Sequence, residues 1–131
     1  MPHVNLIAVL LCGISSLVLG SIWYSPVLLA KPWQKAAGLS DEQAKSGNMA
    51  IILGSAFLLS LVAAYVFGMF LGTMPLAGAI GAGFSAGLCW VGASFAINYL
   101  FERRPLRLWL INGGYHTLQF TLFGLILGAM H

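Results

Sequence analysis

Four stretches of the chain, residues 4–24, 49–71, 76–101 and 108–130, carry no charged side chain. Each reaches the roughly 20 apolar residues that an α-helix needs to cross a hydrocarbon core about 30 Å thick. Between them lie a long polar segment (25–48), a short turn and a second polar segment (102–107). The pattern predicts an all-α membrane protein, an antiparallel four-helix transmembrane bundle in which residues 1–131 form one domain. Composition agrees: 60% of the 131 residues are hydrophobic, only 7% are charged and the mean hydropathy is +0.92. A soluble domain of this size is excluded. The first tract is read as a retained helix, because no positive charge precedes it and no small-residue cleavage site follows it.

The polar segments set the expected orientation. All six Lys and Arg fall in two places: Lys31, Lys35 and Lys45 after the first tract, and Arg103, Arg104 and Arg107 after the third. The positive-inside rule then puts both basic loops in the cytoplasm and both termini outside. Trp23, Tyr24, Trp33, Tyr99 and Trp109 lie at tract ends on the basic side, where amphipathic rings favour the headgroup region. They are read with Lys31, Lys35, Arg103, Arg104 and Arg107 as interfacial anchors. The net charge of +3 belongs to these loops, so the partner it implies is an anionic bilayer surface rather than nucleic acid. Trp90 is out of line. It falls inside the third tract and is expected to pack against a neighbouring helix, its N–H seeking an acceptor.

Within the long loop, Pro26 ends or kinks the first helix. Pro32 is placed to start a short interfacial helix bearing Trp33 and Lys35, and Gly38 to stop it. Ser40 and Gln43 form a capping box with Asp41 and Glu42 in the first turn; this places a helix start in the cytoplasm ahead of the second tract, whose helix is expected over about 49–71. The acidic pair reads as a solvated cap.

Lipid gives apolar side chains no reason to associate, so close packing needs small residues. The 16 glycines supply such pairs at Gly68/Gly72, Gly83/Gly87 and Gly124/Gly128, and Ser16/Gly20 adds another. This much small surface suits a homo-oligomer, or docking into a membrane complex, as well as the protomer's own contacts.

The fourth tract carries the candidate chemistry. On an α-helix with Asn112 at zero, His116 falls at about 40° and Gln119 at roughly −20°, so all three share one stripe. Unpaired polar groups at this depth are expensive and face protein or a water-filled cavity. The expected neighbours are Ser15 and Ser16 on the first helix, Ser60 or Tyr65 on the second, and Trp90 or Asn98 on the third. Two readings follow. The stripe is interhelical glue, or it lines a site or path for a small ligand, ion or proton, since histidine is the side chain most easily moved across neutral pH. No metal site or resident cofactor is expected: His3 and His131 lie far from His116, and no Cys or carboxylate sits at ligand spacing from it. Cys12 and Cys89 fall at different depths and read as packing residues. Glu102 is expected to pair locally with Arg103 or Arg104. No nucleophile with a base, acid pair or phosphate loop marks an enzyme.

The segments "GSIWYSPVLLAKPWQKAAGLS" and "FERRPLRLWLINGGYHTLQFTLFGLILG" together resemble the bacterial membrane-protein family catalogued as domain of unknown function 1761. The most specific pieces are Trp23-Tyr24-Ser25-Pro26 followed by Lys31 and Trp33, and the Gly114-Tyr115-His116 cluster. The resemblance implies a small four-helix protein of the bacterial inner membrane and assigns it no activity. The expected function is that of a small polytopic membrane protein acting through self-association or within a complex, with a polar midplane cluster able to bind a small ligand. A channel or transporter using His116 is the alternative, and a membrane enzyme on a lipid or quinone a third.

Overall fold

The computed structural model describes residues 4–131, with the backbone alone for Ala44 and Lys45. His3 lies outside the described residues. Every regular element is helical: α1 (Leu6–Trp23), α2 (Ala30–Ala37), α3 (Asp41–Lys45), α4 (Met49–Leu71), α5 (Leu76–Ser85), a π-helical segment (Ala86–Gly92), α6 (Ala93–Glu102) and α7 (Leu106–Met130). α5, the π segment and α6 run on as one rod. Three helices, Leu6–Trp23, Met49–Leu71 and Leu76–Glu102, are long and apolar enough to cross a membrane, which marks a membrane protein. α7 has 25 residues, but Asn112, His116 and Gln119 dilute its apolar character.

Local chemistry fixes the ends. Asn5 caps α1 by accepting from the amides of Ile7 and Ala8, and Asn48 caps α4 in the same way on Ala50 and Ile51. Gly38 closes α2 at φ 75°, a left-handed position that glycine occupies without steric cost. The Ser40–Gln43 capping box forms, but it starts only the five-residue α3. The second long helix, Met49–Leu71, begins separately behind its own cap at Asn48, because Gly47 and the second cap interrupt the chain. Pro105 precedes the first residue of α7, which therefore starts two residues before the expected Leu108.

α7 is the centre of the molecule. Its partners identify themselves by residue pairs: Asn5 Nδ2 donates to the Met130 carbonyl at one end, and Trp23 Nε1 to the Ile111 carbonyl at the other, so α1 runs antiparallel to α7. The α5–α6 rod is also antiparallel to α7. Gly124 lies on Ala79, Gly83 on Phe120, Gly87 on His116 and Thr117, and Gly92 receives Trp109 Nε1. At Gly83, Gly87 and Gly124 a Cβ would strike the opposing backbone, and at Gly128 it would press on Ala79. Glycine is what lets the two backbones approach.

α4 crosses α1 near Gly13, which faces Phe57 and Leu61, while Gly68 meets Val4 and Leu127. Gly72, expected as a packing residue, instead has φ 56°, and a Cβ placed there would meet nothing within 4 Å. It turns the chain. The apolar core, built on Ala8, Cys12, Ala64, Phe67, Phe123 and Leu127, fills the half of the bundle away from the basic loops. In the other half α4 stands apart, with Met49 to Ala56 all exposed.

A half-buried histidine niche

Three side chains of one α7 stripe meet two different sets of partners. Asn112 bridges two tyrosines: Tyr24 Oη donates to its Oδ1 at 2.6 Å, and its Nδ2 donates to Tyr99 Oη at 2.8 Å. One turn deeper, His116 Nδ1 lies 2.7 Å from Gln119 Oε1. Gln119 Nε2 donates to Ser16 Oγ at 2.9 Å and more weakly to Ser60 Oγ at 3.4 Å. Because Oε1 can only accept, Nδ1 carries the proton in this arrangement. The neutral ring therefore keeps its lone pair on Nε2.

The ring is also held by its faces. Phe95 stacks on it with centroids 5.1 Å apart and planes 15° from parallel, and Tyr115 meets it edge-on at 4.9 Å. Tyr115 in turn donates to the Ser16 carbonyl and packs on Tyr24, which packs on Trp33 of α2. His116 is half-buried, as are Phe95, Tyr99, Asn112 and Tyr115. No partner for Nε2 occurs among the described residues, and no fully buried side-chain nitrogen or oxygen there lacks one, so Nε2 is not sealed from the surface. The niche lies where α4 stands away from α7.

The polar network then stops. Beyond Gln119, which is 6% exposed, come Cys12, Ala64, Phe67 and the fully buried Phe123. Thr117 and Thr121 spend their hydroxyls on carbonyls of their own helix.

Other sequence candidates sit elsewhere. Ser15 bonds back to the Cys12 carbonyl and takes no part. Asn98 is exposed, and its neighbour Tyr99 reaches Asn112 instead. Tyr65 is exposed away from the niche. Trp90 does not pack inward: it is 71% exposed. Gly83 and Gly87 take the face on α7, and the wider winding of the π segment carries a residue three positions on further from that face than an α-helix would. Trp23 and Trp109, read as headgroup anchors, turn their N–H groups inward onto carbonyls of Ile111 and Gly92. Lys31, Lys35, Arg103, Arg104 and Arg107 are exposed at one end. There Arg104 Nη1 donates to the Ala37 carbonyl, tying the two basic segments together, and the Arg104 guanidinium lies 3.6 Å from Glu102. Among the described residues no group of three His, Cys, Asp or Glu side chains comes together.

Phe95 and Tyr115 had no part in the expected site. Tyr115 adjoins His116 in sequence and Phe95 stands one turn from Tyr99, but neither spacing signals a ring stacked on histidine.

An all-helical membrane protein with a half-buried histidine niche is thus defined. The chain belongs to the family described as protein of unknown function (DUF1761), whose match spans residues 7–128. Neither a curated protein nor a solved structure matches it.

Proposed function

We propose that this protein is a four-helix transmembrane bundle of the bacterial inner membrane, with both termini outside, that binds a small amphipathic ligand in the His116 niche. The observation that carries the reading is the spare Nε2 of a ring whose other nitrogen and both flanks are fixed. A histidine serving only as glue would use both nitrogens or bury the second; this one is oriented and left open. The exposed Lys31, Lys35, Arg103, Arg104 and Arg107 favour the anionic cytoplasmic leaflet, so the ligand enters from that leaflet beside the bare half of α4. Transport through one protomer is disfavoured by the apolar layer around Phe67 and Phe123. A conducting role would need an oligomer that builds its path between copies.

Native mass spectrometry of protein ejected from membrane vesicles tests this. We expect a defined small adduct on a homo-oligomer or a membrane complex, absent from His116→Phe. A bare protein in both cases overturns the binding reading. A proton or ion flux in vesicles that disappears with His116→Phe would favour the channel.

A further inference from the structure

The hydrogen bonds of the niche leave two groups over, and their difference in kind defines a ligand. Resting on the ligand-binding reading above, we propose that the niche binds a membrane-soluble para-dihydroxy aromatic ring, a quinol, in preference to the corresponding quinone.

Consider first the Tyr24–Asn112–Tyr99 chain. Two phenols bring two protons, and the single amide between them accepts one and donates to the other oxygen. Tyr24 gives its proton to Oδ1, and Tyr99 receives from Nδ2, so the Tyr99 hydroxyl proton has no acceptor in the chain. Exchanging the two ends of the amide only moves the spare proton to Tyr24. One phenolic donor is left at this level in either case. One turn deeper, His116 gives Nδ1–H to Gln119 and keeps an unused acceptor at Nε2.

The two leftovers flank the same ring, Phe95, which lies 5.1 Å from the His116 ring and 5.6 Å from the Tyr99 ring. Asn112, which holds Tyr99, is four residues from His116 on α7, a depth difference of about 6 Å. His116 itself is nine residues from Arg107, about 14 Å into the apolar layer. Water is scarce at His116, so its spare acceptor gains most from a ligand that donates to it, while the Tyr99 hydroxyl, nearer the headgroups, supplies a second contact. A six-membered ring with oxygens on opposite carbons offers one polar group at each of the two depths, and its flat face suits the aromatic surroundings of Phe95, Tyr99 and Tyr115.

The direction of each bond selects the oxidation state. A quinol hydroxyl donates to His116 Nε2 while its other oxygen accepts from Tyr99. A quinone has two acceptors and no donor. It satisfies Tyr99 but sets a carbonyl oxygen against the lone pair of Nε2, leaving that atom unpaired. Methylating both oxygens of the quinol removes the donor without changing the ring.

The test is equilibrium binding to the full-length protein in nanodiscs under anaerobic conditions, with Trp fluorescence and native mass spectrometry as readouts. The probes are a decyl-substituted para-benzoquinol, its quinone and its dimethyl ether. We expect the quinol to bind about tenfold or more tightly than either analogue. Tyr99→Phe should reduce quinol affinity about fivefold, and because it also removes the bond from Asn112 Nδ2, the binding is compared on the folded fraction verified by thermal unfolding. The dimethyl ether makes the comparison independent of any folding defect. Equal or tighter binding of the quinone overturns the inference, and so does an unchanged affinity in both Tyr99→Phe and Tyr24→Phe. If no quinoid probe binds but a different native adduct is lost in His116→Phe, the quinol inference fails and the ligand-binding reading stands. If there is neither probe binding nor adduct, both fail.

Discussion

Gly83 of α5 lies against the carbonyl of Phe120 on α7 with no room for a Cβ between them. The obstacle is backbone on both sides, so it cannot be relieved by a rotamer change. Gly83→Ala should therefore force the helices apart and destabilise the protein by about 1–3 kcal/mol, the usual cost of overpacking. Gly124→Ala should do the same against Ala79. Gly81, two residues from Gly83 but on the open side, has nothing within 4 Å; Gly81→Ala should be neutral, or stabilising by up to about 1 kcal/mol through helix propensity. Thermal unfolding of the three variants in one detergent separates close packing from glycine content.

Gln119 is the junction of the deep network, joining α7 to α1 and α4 through Ser16 and Ser60. Gln119→Leu keeps similar bulk but strands His116 Nδ1–H and two buried serine hydroxyls. A loss of about 1–3 kcal/mol is expected. Ser16→Ala should cost more than Ser60→Ala, because the bond to Ser16 is the shorter, 2.9 Å against 3.4 Å. A double-mutant cycle between Gln119 and each serine, read by unfolding, measures the difference; equal coupling would overturn the ranking, and no coupling to either would show that the serine contacts do not carry the stability.

The tryptophans divide by what their N–H groups do. Trp23→Phe and Trp109→Phe each remove an interhelical bond to a carbonyl and should cost about 1 kcal/mol. Trp90→Phe removes none and should leave stability unchanged. Brominated lipids should quench the exposed Trp90 most strongly, so that Trp90→Phe removes most of the quenchable emission. Comparable quenching in wild type and Trp90→Phe would show that Trp90 does not face lipid.

That division explains what was legible in the sequence. The all-helical membrane class is carried by unbroken apolar tracts, which need no knowledge of partners. The family was legible too, in Trp23-Tyr24-Ser25-Pro26 and Gly114-Tyr115-His116. Helix ends were readable where a side chain caps its own backbone, as at Ser40, but what followed the cap was not: Asn48 competes as a second start. Periodicity placed Asn112, His116 and Gln119 on one face. It could not tell that Asn112 belongs to a tyrosine bridge while His116 and Gln119 bond each other, because that depends on which rings α1 and α6 bring up. Trp90 was misplaced for a similar reason: an angle counted at α-helical pitch fails across a π segment, and no residue type in Ala86–Gly92 announces one.

Orientation rests on the location of every trypsin-sensitive bond. All six Lys and Arg lie in residues 25–48 and 102–107, and Pro32 and Pro105 protect the bonds after Lys31 and Arg104. Cleavage is then confined to Lys35, Lys45, Arg103 and Arg107. Lys35 in α2 and Lys45 in α3 belong to short helices bounded by Gly38 and residues 46–48, which open locally at low cost. If both basic segments face the cytoplasm, inverted membrane vesicles should be cut after Lys35 or Lys45, releasing an α1-containing fragment, while sealed spheroplasts should keep the chain whole. Cutting in spheroplasts and protection in inverted vesicles would reverse the orientation. It would also move the mouth of the His116 niche to the other leaflet, since Tyr24, Tyr99 and Asn112 stand at the basic end whichever way the protein is inserted.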